Sequence, residues 1–142
     1  MTGTPVKLLW TREEDMTHCR YHPNTHCKLT GALDADNNLT ALHLRLSGQS
    51  IAASTRPAAL VNGMDMGAFQ GLGKSGDAAF GYTVPNLLIE HAMRNPHVPP
   101  GYCRGVNANH NAHYLECFLA ELAHPPGQAP VECPRSRLGP PP

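Results

Sequence analysis

The feature that most constrains this chain is a proline-rich turn at 96–100 that leads into an amphipathic segment, 112–123. In that segment the large apolar residues recur at positions i, i+3, i+4 and i+7 of one helical face: Leu115, Phe118, Leu119 and Leu122. Pro125, Pro126 and Gly127 then end the predicted helix. Because such a helix must bury its apolar face, the rest of the chain has to supply a surface for it.

A β-hairpin is predicted upstream of this helix. Leu42, Leu44 and Leu46 alternate with more polar residues, as in a strand with one buried face, and 25–33 is a weaker candidate for its partner. The connection at 34–38 is rich in Asp and Asn, which tolerate the backbone conformations of tight turns. At Asn37 and Asn38 a positive φ is commonly required. The two strands are therefore expected to pair antiparallel.

Further elements are predicted on either side of the hairpin. Val6, Leu8 and Trp10 alternate as in a strand with one apolar face, and the charge cluster at 12–15 then indicates a solvated turn or a helix start. Residues 87–93 favour another strand. Between the hairpin and this strand, 47–81 is dominated by small residues and Met, which indicates a variable loop with one short helical turn. The fold class expected is α+β.

Composition limits the partners of the chain. It has 11 basic and 11 acidic residues, so no broad positive field favours nucleic acid or an anionic membrane. No apolar run approaches the ~20 residues of a membrane span. The five cysteines form an odd, scattered set without CxxC spacing, which is typical of reduced thiols rather than a disulfide framework. Because the charges balance, a polyanionic partner is not expected.

The junction before the helix is a candidate anion site. Arg104 is followed by small and amide residues, among them Asn107, Asn109 and Asn111 as candidate N-caps. A guanidinium, backbone N–H groups and a helix dipole directed at one place can together hold a phosphate or pyrophosphate. An ordinary capped loop is the alternative interpretation.

The order of these residues resembles a known family. The matching motifs are PVKLLWTREEDM at 5–16, DADNNLTAL at 34–42, VPN at 84–86, HAMRN at 91–95, PPG at 99–101, RGV at 104–106, YLECF at 114–118 and ELA at 121–123. They resemble the molybdopterin-binding large subunit of the xanthine dehydrogenase and aldehyde oxidase family, and within it the isoquinoline 1-oxidoreductase beta-subunit type. The resemblance implies that the hairpin, the further strands and the helix are part of a larger molybdopterin-binding domain.

The resemblance also implies a function and a set of site residues. Arg104 and Gly105 would lie beside the molybdenum cofactor, and Val106 and Asn107 would line the approach to it. The cofactor implied is molybdopterin in its cytosine dinucleotide form. Such enzymes hydroxylate an electron-poor carbon of an N-heterocycle or aldehyde with oxygen from water. Their partners are a small [2Fe–2S] subunit and the rest of the large subunit.

The chain departs from the family pattern in three places. The glycine-rich loop that precedes the first matched strand is missing, and so is the C-terminal region that carries the catalytic glutamate. Cys103 stands where an aromatic residue is usual. We therefore expect a fragment that is inactive alone, with no catalytic residue of its own. It would comprise a partial domain at 1–124 and a Pro-rich, disordered tail at 125–142. The sequence does not indicate its cellular compartment.

Two other constellations suggest different chemistry. Residues 68–75 satisfy a loose phosphate-loop pattern in which Lys74 and Ser75 would contact phosphate and magnesium, but no apolar strand leads into them. A dense set of zinc-type ligands lies closer to the N-terminus: His18, Cys19, His22, His26 and Cys27. Its spacing is poor for zinc. Structural zinc sites usually have two pairs of ligands: the two ligands of a pair are close in sequence, and the two pairs are well separated. A small zinc-binding domain, or a degenerate remnant without activity, remains the alternative to cofactor binding.

Overall fold

A computed structural model of the chain describes residues 3–73 and 80–123. Within them, a three-stranded mixed sheet is formed by β1 (Thr25–Leu33), β2 (Leu39–Gly48) and β3 (Asn86–Met93), in the order β1-β2-β3. β1 pairs antiparallel with β2, and β3 lies parallel on its other side. The helices are α1 (Arg12–His18), α2 (Ile51–Thr55) and α3 (Ala108–Ala123). The α+β expectation and the hairpin are confirmed.

The hairpin turn has a local cause. Asn37 has a φ of 63°, as its position required, and the Asp34 carboxylate accepts hydrogen bonds from the N–H groups of Asp36 at 2.9 Å and Asn38 at 2.8 Å. These hydrogen bonds lower the pKa of Asp34, and the bond from the Asn38 N–H has the largest effect. The turn sets a register in which Leu29 lies opposite Leu44.

The core lies between β2 and α3. Seven buried residues form one cluster: Leu39, Leu42, Leu44, Leu46, Leu72, Leu115 and Leu119. Phe118 and Leu122, the other members of the predicted helical face, pack against it. The helix comes so near to β1 that a Cβ built on Gly31 would lie 2.8 Å from Leu122 Cδ1. The helical face is confirmed, and α3 begins at Ala108, earlier than the 112–123 segment predicted.

The strand predicted around Val6, Leu8 and Trp10 does not form. These residues and Leu9 are between 65% and 75% exposed, and no strand of the described sheet pairs with them. Alternation marks a segment that can be a strand, but a strand also needs a neighbour to accept its hydrogen bonds. The helix start predicted at 12–15 is correct: α1 begins there, and the Thr11 side chain accepts a hydrogen bond from the Glu14 N–H.

The variable loop predicted at 47–81 is more ordered than expected where it is described. β2 continues to Gly48, and α2 and two 3-10 turns follow, at Pro57–Ala59 and Met66–Phe69. The pattern of apolar residues missed them because each is short. Ser50 caps α2 and Asp65 caps the second 3-10 turn, whereas the first begins at a proline without a side-chain cap. Residues 74–79 and the tail at 125–142 lie outside the described residues. No helix in the described ranges has the length and hydropathy to cross a membrane.

Candidate functional site

A cavity of about 720 Å³ opens between α2 and the start of α3. Its wall includes Ile51, Arg56, Phe69, Tyr102, Val106 and Asn107. These residues come from three stretches that are far apart in sequence, and the volume is in the range of small-molecule sites. Val106 and Asn107, two of the four residues implied by the resemblance, are thus on its wall.

The backbone just before α3 is strained. Gly105 has a φ of 82° and Val106 a φ of 50°, and a β-branched residue is rarely found there. Such a conformation costs on the order of 1–3 kcal/mol and persists only where surrounding contacts impose it. Here the Val106 N–H donates to the Cys103 carbonyl at 2.8 Å, and His22 Nε2 lies 3.3 Å from the Val106 carbonyl oxygen. These contacts hold Val106 against the cavity.

Two buried asparagines join the start of α3 to the opposite wall. Asn107 Nδ2 donates to the Gly67 carbonyl at 2.8 Å, and its N–H donates to Gln70 Oε1 at 3.3 Å. Asn111 Nδ2 donates to the carbonyls of Ala68 and Gln70 at 2.9 and 2.8 Å. Of the three candidate N-caps, Asn109 and Asn111 lie inside α3, whereas Asn107 directly precedes its first residue. The amide of Asn107, which directly precedes the helix, bridges the two walls.

A buried carboxylate organises the α2 side of the cavity. Asp65, 6% exposed, accepts hydrogen bonds through Oδ2 from Ser50 Oγ at 2.6 Å and the Ala52 N–H at 3.1 Å. Its Oδ1 accepts from the Gly67 N–H at 2.9 Å. Three donors therefore compensate the charge of this side chain, which the sequence analysis did not single out.

The positive charge on the cavity wall comes from Arg56. Its Nη2 donates to the Tyr102 hydroxyl at 2.7 Å, and its guanidinium carbon lies 5.5 Å from the centre of the Tyr102 ring. Arg104, by contrast, is exposed and is not part of the cavity lining, and its carbonyl accepts a hydrogen bond from Asn109 Nδ2 at 3.2 Å. The structure therefore brings Val106 and Asn107 to the cavity, but neither Arg104 nor Gly105. Arg56 and Tyr102 were missed because they are 46 residues apart.

Histidines surround the same junction. The rings of His22 and His110 are edge to face at 5.5 Å. Burial, and then the proximity of His22 and His91, lowers the pKa of His110. Burial also lowers the pKa of His91, against the opposing field of Asp65. Both rings are therefore held in the neutral form near pH 7.

The two competing constellations receive no support in the described part of the chain. Ala68 and Leu72 of the phosphate-loop pattern are buried, whereas Lys74 and Ser75 lie outside the described residues. No group of three or more His, Cys, Asp or Glu side chains is placed to hold a metal ion in residues 3–73 and 80–123. The predicted zinc cluster is therefore not formed: His26 and Cys27 belong to β1, and Cys19 is an exposed free thiol next to α1.

The cavity suits an organic ligand that carries a negative charge. One part of its wall is apolar, with Ile51 and Phe69. The polar groups on the rest are hydrogen-bonding amides, a phenol, a guanidinium and the Asp65 carboxylate, whose oxygens already accept three hydrogen bonds. A planar ring can pack on the apolar part of the wall, while the polar groups bind the polar edge of the ring and an anionic arm. A cofactor that carries its own metal ligands needs no cluster of imidazole and thiolate groups from the protein.

Comparisons with known proteins agree with this chemistry. The molybdopterin cofactor-binding domain family matches residues 1–137. The chain is also 26% identical, over 134 residues, to a protein of Gluconacetobacter polyoxogenes named membrane-bound aldehyde dehydrogenase [pyrroloquinoline-quinone]. That similarity covers 92% of this chain and 17% of the relative, so the chain spans a small part of the relative's length. Because the family match extends over nearly the whole sequence, the chain belongs to the molybdopterin cofactor-binding domain family.

Proposed function

We propose that this chain forms part of the cofactor site of a molybdenum hydroxylase, an oxidoreductase that hydroxylates an electron-poor carbon with oxygen from water. The observation that carries the proposal is the strained turn at Gly105 and Val106, held against a cavity of about 720 Å³. Strain of this kind is concentrated at ligand-binding sites. The bound molybdopterin would supply the redox chemistry, and the chain would orient it.

Arg104, Gly105, Val106 and Asn107 are the proposed cofactor-binding residues. Gly105 allows the φ of 82° that the turn adopts, and Val106 follows it on the cavity wall. Asn107, 4% exposed, fixes the position of this turn relative to the opposite wall. Arg104 would add a charge-assisted hydrogen bond to an anionic arm of the cofactor from the exposed side of the turn.

The finer assignment is also a proposal. The sequence motifs favour the isoquinoline 1-oxidoreductase beta-subunit type, the cytosine dinucleotide form of the cofactor and a [2Fe–2S] partner subunit. The partial domain would occupy 1–124, followed by a tail at 125–142. The substrate would be an N-heterocycle or an aldehyde, and the similarity to a protein named as an aldehyde dehydrogenase supports the second. Activity would need the remaining parts of the subunit.

The proposal is tested by the cofactor content of the purified chain. After expression in a host that makes molybdenum cofactor, we expect molybdenum by mass spectrometry and a fluorescent pterin after oxidation, in equal amounts. A bound quinone in place of a pterin would contradict the proposal, and so would the absence of both. Because the relative is named as a pyrroloquinoline-quinone enzyme, the quinone assay is a necessary control.

A variant tests the role of the arginine. Arg104→Ala removes one charge-assisted hydrogen bond, worth about 1.5–3 kcal/mol, and should lower cofactor affinity about ten- to a hundredfold. Unchanged molybdenum and pterin content after titration with limiting cofactor would remove Arg104 from the site.

A further inference from the structure

The two charged groups on the cavity wall are not paired with each other. Of the residues that line it in the described structure, Arg56 and Asp65 are the charged ones. The carboxylate of Asp65 already accepts three hydrogen bonds from Ser50, Ala52 and Gly67. No carboxylate of the described residues lies within ion-pair distance of Arg56. The cavity therefore offers one guanidinium, on an exposed side chain, that has no ion-pair partner among the described residues.

The guanidinium of Arg56 is also held in place with most of its donors free. Among the described residues its hydrogen-bond acceptor is the Tyr102 hydroxyl, at 2.7 Å, and a guanidinium has five N–H donors. Since the hydroxyl of Tyr102 accepts from Arg56, its own hydrogen is free to donate to a ligand. A fork of guanidinium N–H groups beside an O–H donor matches the oxygen atoms of a phosphate.

From this geometry we infer that Arg56 and Tyr102 form a phosphate subsite of the cavity, which takes the phosphate of a ring-bearing phosphate ester. The ring is required by the rest of the wall, since Ile51, Ala52 and Phe69 present apolar surface and a lone anion would leave most of the 720 Å³ unused. Only the identity of the ester, a pterin phosphate, rests on the proposed function.

The subsite is tested with three small probes on the full 142-residue chain at constant ionic strength. Inorganic phosphate represents a free anion, phenyl phosphate a ring with a phosphate, and benzoate a ring with a carboxylate, the anionic group that a quinone cofactor would present. Binding is followed by NMR shifts of the Arg56 side-chain N–H and the Tyr102 ring. We expect phenyl phosphate to bind tightest, since it combines a ring for the apolar part of the wall with three terminal oxygens for the donors of Arg56 and Tyr102.

Substitutions locate the effect. Arg56→Gln should weaken phenyl phosphate about tenfold or more, the loss of one charge-assisted hydrogen bond, whereas Arg56→Lys should recover part of the affinity. Arg45→Gln is the matched control, because it removes the same charge from the exposed residue of β2 that lies 3.5 Å from Glu90. It should leave the affinity unchanged.

Several outcomes would overturn the inference. They are an absence of shifts at Arg56 and Tyr102 in the unmodified chain, tighter binding of benzoate than of phenyl phosphate, and equal affinities for phenyl phosphate and inorganic phosphate. The test is separate from that of the proposed function. If phenyl phosphate binds at Arg56 but the chain takes no molybdenum cofactor, the subsite stands and the function fails. If Arg56→Gln takes the cofactor as tightly as the unmodified chain does, the proposed function stands and the subsite fails.

Discussion

Replacement of Asp65 by alanine should destabilise the α2 side of the cavity more than any surface change. The side chain is buried, and its two oxygens accept hydrogen bonds from Ser50 Oγ, the Ala52 N–H and the Gly67 N–H at 2.6, 3.1 and 2.9 Å. Removal of the carboxylate leaves these three donors without their acceptor, and two of them, the Ser50 hydroxyl and the Ala52 N–H, belong to buried residues. The loss then affects both α2 and the following 3-10 turn.

The magnitude follows from the number and type of these bonds. A hydrogen bond to a charged group contributes about 1.5–3 kcal/mol, but bonds that share one acceptor do not add fully. We therefore expect the free energy of unfolding to fall by about 3–5 kcal/mol for Asp65→Ala. Asp65→Asn keeps one acceptor oxygen and should lose about half as much.

Urea unfolding followed by circular dichroism measures these differences. Asp36→Ala is a suitable control, because Asp36 is exposed in the hairpin turn and far from the cavity in sequence. It should change the free energy of unfolding by less than about 0.5 kcal/mol. A loss below about 1 kcal/mol for Asp65→Ala would refute the view that this carboxylate organises the wall.

Two further predictions concern the junction before α3. Gly105→Ala combines a φ of 82° with a Cβ 2.6 Å from an atom of Asn109, so it should cost more than Gly63→Ala, whose φ is 77° but whose Cβ would meet nothing within 4 Å. Thermal melts compare the two, and equal losses would refute the predicted clash. For His110 the folded pKa lies below the ordinary value of 6.5, so the unfolded chain binds the proton first. Stability should hold above about pH 6.5 and fall as the pH decreases below it; His110→Phe should reduce this fall in urea titrations, and an unchanged pH profile would contradict it.

The parts of the fold that were predicted correctly are those whose cause is local. The turn at 34–38 and the alternation around Leu44 lie within a few residues of each other, so the hairpin could be inferred from them. The apolar face of α3 was equally clear, because helical periodicity needs no knowledge of the partner. The segment at 5–10 shows the limit of the same argument. Its alternation is strand-like, but nothing in the sequence indicates whether another strand will pair with it.

The cavity depended on contacts that span the chain. Asp65 meets Ser50 across 15 residues, and Arg56 meets Tyr102 across 46. Small residues between these positions show no periodicity, so 47–81 was interpreted as a loop. The resemblance pointed to Val106 and Asn107, which lie on the cavity wall, and to Arg104, which does not; the guanidinium on that wall belongs to Arg56.

The amides of Asn107 and Asn111 have a consequence for the kinetics of recognition. Because they fasten the first turn of α3 to the carbonyls of Gly67, Ala68 and Gln70, both sides of the opening are already at a fixed separation. A ligand then binds to a preorganised site, and no segment of the chain has to become ordered on binding. Its rate of association should be governed by diffusion and charge steering rather than by a slow closing motion.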